Sequence, residues 1–362
     1  MTASAECVVA ELDLPGIRQA VEAELRTFLR GKIAAAADER LPDVIPRALH
    51  DFVLAGGKRL RPLLCVLGWH AAHGDADPRP VIRVAAALEL FHAFALIHDD
   101  LMDSSAIRRG RPTMHRALAD HHRAGPAQGD SDRFGANAAI LAGDLALAWS
   151  HELLHTAGLS SRRLTAVLPV VDAMRTELMY GQCLDLLSTG RLAGDVEEAL
   201  QVVRYKTAKY TCERPLHVGA LLADADPTTL AACSAVALPL GEAFQLRDDL
   251  LGAYGRSETT GKSALEDFRE GKHTVLLTLA LRHTDERQRA TLRALIGDRA
   301  LTDAGAARIR TILTATGARD EIEHMIADRL SQALRALDAA PFRTTTITAL
   351  RRLAGSMTTR TS

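Results

Sequence analysis

Apolar residues recur at helical spacing along most of the chain, and in places on nearly every side of the helix they imply. Residues 81–103 (VIRVAAALELFHAFALIHDDLMD) contain no glycine or proline and stay apolar almost all round until the terminal acids. A helix with that pattern is buried inside a larger fold. Segments 134–157, 162–188, 195–212, 228–254, 302–316 and 318–339 read as further helices. Candidate stops are Gly158, Gly190 with Gly194, Pro227 and Gly255. Short alternating strands flanked by Asn-Gly or Asp-Gly turns do not occur, so the pattern predicts an all-α chain. No Gly-, Ser- or Pro-rich linker divides it and no fixed-period repeat recurs, which predicts one domain of roughly a dozen helices over 1–362. The most polar interval, 119–133 (ADHHRAGPAQGDSDR), is expected to be an exposed loop.

Composition narrows the class. The 362 residues are 47% hydrophobic and 25% charged, as in ordinary folded proteins, and only 4% aromatic. Lys+Arg 44 against Asp+Glu 45 gives a formal charge of -1, leaving no cationic excess for a nucleic-acid backbone. The cysteines (Cys7, Cys65, Cys183, Cys212, Cys233) form no CxxC pair and read as thiols in a reducing compartment. Glu6, Glu11 and Asp13 stand where a signal peptide would carry Lys or Arg, and no apolar run reaches the ~18 residues of a membrane span. The expectation is a cytoplasmic protein without a membrane span.

The chemistry begins with DDLMD at 99–103. On a helix Asp99 and Asp103 share a face, with Asp100 about 100° around. Like charges at the end of a buried helix repel, and each is driven toward its neutral form unless a cation intervenes. Clustered hard oxygens suit Mg²⁺, which keeps several waters and shares its other positions with substrate phosphates. FQLRDDLLG (244–252) repeats the arrangement, with Asp248 and Asp249 near the end of a long apolar helix and Gln245 three residues before. Two such helices facing each other across a cavity would put both acid pairs at its rim.

Basic loops accompany the acids. GGKRLRP (56–62) offers Lys58 and Arg61, RRGRPT (108–113) offers Arg108, Arg109 and Arg111, KTAKYT (206–211) offers Lys206 and Thr207, and Lys262 lies in TTGK. Acids that need a metal beside bases that need an anion describe a diphosphate site, bridged by Mg²⁺ on one side and clamped by Arg and Lys on the other. GRSETTGKS (255–263) is not a phosphate-binding P-loop, since its spacing is one residue too long and a helix precedes it. His98 reads as a hydrogen-bonded core histidine, and His121 and His122 as solvated.

Together these motifs resemble the trans-prenyltransferase (polyprenyl diphosphate synthase) family over about residues 50 to 275: GGKRLRP, HAFALIHDDLMD, RRGRPT, AILAGD, GQCLD, KTAKYT, FQLRDD and TTGK. The resemblance implies the isoprenoid-synthase fold, a helical bundle around a deep central cavity, in a homodimer. It implies that Asp99 and Asp103 bind Mg²⁺ attached to an allylic diphosphate, with Asp100 supporting them. Asp248, with Asp249 nearby, would hold a further ion, for three Mg²⁺ per active site in all. Arg108, Lys206 and Lys262 would grip the allylic diphosphate, and Lys58, Arg61, His92 and Arg109 would form the isopentenyl diphosphate pocket. Thr207 and Gln245 would face the developing carbocation. One departure is plain: where the second motif often carries a further Asp, this chain has Gly252.

The implied reaction is ionisation of the allylic diphosphate, condensation with isopentenyl diphosphate, and loss of a proton. The product would be set by the cavity floor before Asp99, where Ala95 and Phe94, and then Phe91, lie. A small residue beside a bulky ring points to geranylgeranyl diphosphate, with farnesyl or longer products as alternatives. A class I terpene cyclase has no use for GGKRLRP, and the only asparagine, Asn137, lies in no cyclase metal motif. A non-catalytic subunit of a heteromeric synthase tends to lose the aspartates, which are all present here.

Overall fold

The computed structural model describes residues 11–126, 128–192, 195–255 and 265–359. Among them are α1 Leu14–Asp38, α2 Val44–Leu54, α3 Leu60–Ala71, α4 Arg79–Met102, α5 Met114–Ala124, α6 Ser131–His155, α7 Ser161–Ser188 and α8 Val196–Val202. A π-helical segment, Val203–Glu213, follows, then α9 Arg214–Leu222 and α10 Pro227–Tyr254. The rest are α11 Glu266–Glu270, α12 Val275–His283, α13 Glu286–Leu295, α14 Asp303–Ala315, α15 Ala318–Ala339 and α16 Thr344–Thr358. The chain is all-α, as its periodicity requires. Its described helices outnumber the expected dozen because α8, α9 and α11 are too short to show a period.

The site is framed by four long elements. Helix α4, apolar nearly all round, packs against α6, α3 and α1, while α10 packs against α15 and the π-helical segment. Helix α7 lies along the other side of that segment. Leu88, Leu90, Phe91 and Ile97 of α4 join Leu153 of α6 and Met174 of α7 in one buried core. A second core lies around α10, α12 and α14, and a third around α3, α9 and α16.

Several expectations change. The predicted loop at 119–133 is largely helix, since α5 runs to Ala124 and α6 begins at Ser131. The many polar residues of α5 occupy its outer face, while Met114, His115, Leu118 and Ala119 are buried beneath. His122 is not simply solvated: its ring stacks on Phe134 with centroids 4.4 Å apart and bonds Ser131 Oγ at 3.0 Å. Pro227 opens α10 rather than stopping a helix, with the Asp226 side chain accepting from the Thr229 N–H. The helix expected over 195–212 changes to π geometry at Val203. Finally, α4 and α10 are each long and apolar enough to cross a membrane, contrary to the run-length expectation. Their most apolar stretches are 67% and 56% buried within the protein, as suits core helices.

Candidate active site

Helix α4 ends in a pair of reversed hydrogen bonds. Ser104 N–H donates to the Leu101 carbonyl (3.2 Å) and Ser105 N–H to the Asp100 carbonyl (2.9 Å). This closure puts Ser104 in the left-handed region (φ 56°), a position that usually falls to glycine. It leaves Asp99, Asp100 and Asp103 at the negative end of the helix dipole, where carboxylates are disfavoured. Cations from elsewhere in the chain compensate. Lys206 Nζ lies 3.0 Å from Asp99 Oδ1 and 2.6 Å from Asp185 Oδ2. Arg108 Nε donates to Asp100 Oδ2 at 2.7 Å, and its Nη2 lies 3.4 Å from Asp99. Lys272 Nζ sits 2.9 Å from Asp103 and 3.0 Å from Glu270.

The charges respond accordingly. Burial alone would raise the Asp99 pKa, but Lys206, Lys272 and Arg108 outweigh it and hold the carboxyl well below its ordinary range. Asp103 shifts upward, through burial and then the Asp99 charge, against the pull of Lys272. Burial opposes the charge on Lys206 and Lys272, yet the surrounding carboxylates keep both pKa values above the usual lysine value.

The hairpin that delivers Arg108 pairs Ile107 with Pro112 and Arg108 with Arg111. Arg109 and Gly110 both have positive φ (53° and 73°), the signature of a two-residue turn that matches strand twist. Arg108 is thereby turned toward the acids, and Arg109 reaches the Gly56 carbonyl of the GGKR loop.

Two hydrogen bonds tie the second acid pair to the segment that carries Lys206. Next to Lys206, Thr207 Oγ1 donates to Gln245 Oε1 (2.7 Å), and Gln245 Nε2 donates to Asp249 Oδ1 (2.8 Å). Asp249 is pushed up to about 7 by burial, with the Asp267 and Asp248 charges adding to it against the Gln245 bond. Asp248 is half-buried on the same turn of α10. Asp249, Asp267 and Lys272 line one small cavity between α10 and α11, and Lys272 also pairs with Asp103 at the end of α4. The missing acid of the second motif has a counterpart here: a Cβ at Gly252 would collide with the Asp267 carboxylate, which fills that space.

Of the residues expected to hold a second anion, His92, Arg61 and Arg109 lie close together. His92 Nδ1 lies 2.6 Å from the Tyr210 hydroxyl, and the Arg61 guanidinium lies 4.0 Å over the Tyr210 ring while donating to Thr211 Oγ1 (2.6 Å). Burial, then Arg61, Arg109, Arg108 and Arg59, drive the His92 pKa well below its usual value, so the imidazole is neutral. Lys58 is exposed on the GGKR loop. Its neighbour Arg59 is instead a buried structural residue, bound to Glu89 (2.6 Å) and the Val53 carbonyl (2.7 Å). Gly181 and Gly241 let α7 and α10 close on the π-helical segment, since a Cβ at either would meet the backbone of Lys206 or Ala208.

Before the first motif, Phe91 and Phe94 pack with ring centroids 5.4 Å apart, and Phe94 stands edge-on to His98. His98 itself is half-buried and lies 3.2 Å from the Ile140 carbonyl. Ala95, on the same helix, is half-buried. A void of about 10 Å³ lies past Phe91, lined also by Leu88, Leu154 and Met174.

The chain matches the polyprenyl synthetase family over residues 42–313. It belongs to that family. It is 34% identical to the short chain isoprenyl diphosphate synthase of Methanothermobacter thermautotrophicus, over 76% of this chain and 80% of that one. It is 32% identical to the geranylfarnesyl diphosphate synthase of Aeropyrum pernix, over 83% and 89%. Its fold superposes, with a TM-score of 0.93 and 40% identity over 97% and 100% of the chains, on a geranylgeranyl pyrophosphate synthase from Corynebacterium glutamicum complexed with isoprenyl diphosphate and magnesium. This polyprenyl synthetase is therefore a prenyltransferase of the isoprenyl diphosphate synthase class, with the isoprenoid-synthase helical fold. The relatives' differing names leave product length open.

Four residues that contact the expected site residues escaped the sequence reading: Asp185, Tyr210, Asp267 and Lys272. Asp185 lies in GQCLD and Tyr210 in KTAKYT, both quoted motifs, while Asp267 and Lys272 lie five apart in EDFREGK, a signal no single-helix pattern exposes. Lys262 lies outside the described residues, as do Cys7 and all but the first residue of GRSETTGKS.

The acids fit a hard divalent cation. Asp100 Oδ1 is shielded from solvent without a hydrogen bond, and the equally shielded Asp103 Oδ2 faces Lys272 Nζ at 2.9 Å. Among the described residues no three His, Cys, Asp or Glu side chains form a ready-made metal cage. An ion shared with substrate phosphate needs only one or two carboxylates.

Proposed function

We propose that this prenyl synthase joins isopentenyl diphosphate to an allylic diphosphate (dimethylallyl, geranyl or farnesyl) and releases geranylgeranyl diphosphate. The observation that supports the reading is that neighbouring residues of the π-helical segment bond toward both acid motifs, Lys206 to Asp99 and Thr207 through Gln245 to Asp249.

In this reading Asp99, Asp103 and Asp248 hold Mg²⁺, three ions per site, with Asp100 and Asp249 supporting. The bound ions would supply charge neutralisation of the departing diphosphate. Lys206, Arg108 and Lys262 then grip that diphosphate, stabilising negative charge as the allylic carbon–oxygen bond breaks. Thr207 and Gln245 present oxygen dipoles to the carbocation. Lys58, Arg61, Arg109 and neutral His92 orient isopentenyl diphosphate so that its double bond meets the cation. The apolar walls exclude water that would trap the cation, and the proton lost afterwards passes to the released diphosphate. Phe94, Ala95 and Phe91 limit the growing chain. We place the chain in the cytoplasm as one domain, paired with a second copy of itself.

The test is product analysis. Purified protein, Mg²⁺, labelled isopentenyl diphosphate and each allylic primer in turn should yield labelled geranylgeranyl diphosphate. Cyclic hydrocarbons formed from one diphosphate alone, or no incorporation, would overturn the reading.

A further inference from the structure

A second pocket, of about 430 Å³, lies between α2, α5 and the outer side of the hairpin. That volume is in the range that takes small ligands. Its walls are apolar, from Val44 and Phe52 on α2 to Pro112 of the hairpin and Leu118 of α5. Arg47, Arg109, Arg111 and His121 add positive or protonatable groups, against Asp43 and Asp51. Arg47 is engaged by Asp43 at 2.6 Å. Arg111 makes no side-chain hydrogen bond or ion pair among the described residues, and it projects from an exposed hairpin. An apolar trough with an uncommitted guanidinium at its edge is complementary to an apolar chain ending in phosphate, which arginine recognises with paired N–H donors.

The hairpin connects this pocket to the catalytic hollow. Arg108 lines the pocket while its guanidinium is bonded to Asp100, and Arg109 lines it while holding the Gly56 carbonyl. Arg109 also sits in the left-handed region, a conformation that costs a residue with a side chain about 1–3 kcal/mol and that the hairpin holds in place.

We propose that the α2–α5 pocket is a second, non-catalytic site for a prenyl phosphate or diphosphate, and that its occupation draws Arg109 off the GGKR loop and weakens isopentenyl diphosphate binding. The proposal rests on the prenyl synthase reading for the class of ligand, and it makes the enzyme responsive to its own kind of product. Linkage is reciprocal, so isopentenyl diphosphate should weaken the second site by the same factor.

Equilibrium dialysis of the full chain with geranyl phosphate in EDTA tests it without turnover, so its outcome is separate from that of the product assay. Ala117→Trp, which fills the pocket from α5 and lies outside the catalytic residues, should weaken binding about tenfold or more and leave turnover within about twofold. Lys206→Ala should bind the probe as the wild type does. The opposite pattern, loss with Lys206→Ala and retention with Ala117→Trp, would place the probe in the catalytic hollow and overturn the proposal. If Ala117→Trp does not fold, Arg111→Ala decides: weakened binding supports the site and unchanged binding refutes it. Inorganic pyrophosphate should compete at least about tenfold less well than geranyl phosphate. Equal competition would show that the apolar walls contribute nothing and would also refute it.

Discussion

A carboxylate in the last turn of a helix meets the negative end of the dipole, and three there are tolerated only with cations close by. Asp99, Asp100 and Asp103 have Lys206, Arg108 and Lys272. Asp99→Ala or Asp103→Ala should therefore lower kcat by about 10²–10³-fold or more, the loss typical of removing one group that stabilises transition-state charge, as steady-state assays would show. Tyr210→Phe removes the partner of His92 while keeping the ring under Arg61. Losing one such bond is worth about 1 kcal/mol, so KM for isopentenyl diphosphate should rise several-fold with kcat little changed. At Gly252 an added methyl collides with Asp267, so Gly252→Ala should reduce turnover in the same assay by displacing that carboxylate. The aspartates were legible in sequence because spacing on one helix gives them a common face. Asp267 was not, because its relation to Gly252 exists only once α11 folds back on α10.

Lys206 and Thr207 stand on a π-helical segment, a widened turn frequently found at functional sites. Gly181 of α7 touches the backbone there, so Gly181→Ala should cost about 1–3 kcal/mol of stability, seen as a lowered Tm, and impair turnover as well. On α4, Phe91 lines the small void together with Leu154 and Met174. Phe91→Ala or Phe94→Ala should lengthen the products, which chromatography of the dephosphorylated chains would display. Long helices could be read from periodicity, and their observed limits fall within a few residues of the expected ones. The π geometry and the hairpin could not: a π turn keeps nearly the same apolar pattern as an α turn, and a six-residue hairpin is too short to show a period. The 119–133 interval misled because charge alone suggested a loop, whereas four buried residues on one face of α5 suffice to fold it as helix.

On the scale of the whole molecule, large apolar side chains stand exposed along two of the described helices. Phe134 and Leu141 of α6 recur seven residues apart, as do Met179 with Leu186 and Tyr180 with Leu187 of α7, all exposed. Seven residues are two turns, so each pair forms a stripe along its helix. Exposed apolar stripes of this kind mark protein interfaces. We expect light scattering to give the mass of a dimer, and Leu141→Glu with Leu187→Glu to give a monomer. The claim on which the account depends is that α4 and α10 act together on one diphosphate. Mg²⁺-dependent incorporation of labelled isopentenyl diphosphate by wild type, Asp99→Ala and Asp248→Ala measures this most directly. The account predicts that either single change lowers the rate at least about 10²-fold. A variant at either position working within about tenfold of wild type would contradict it.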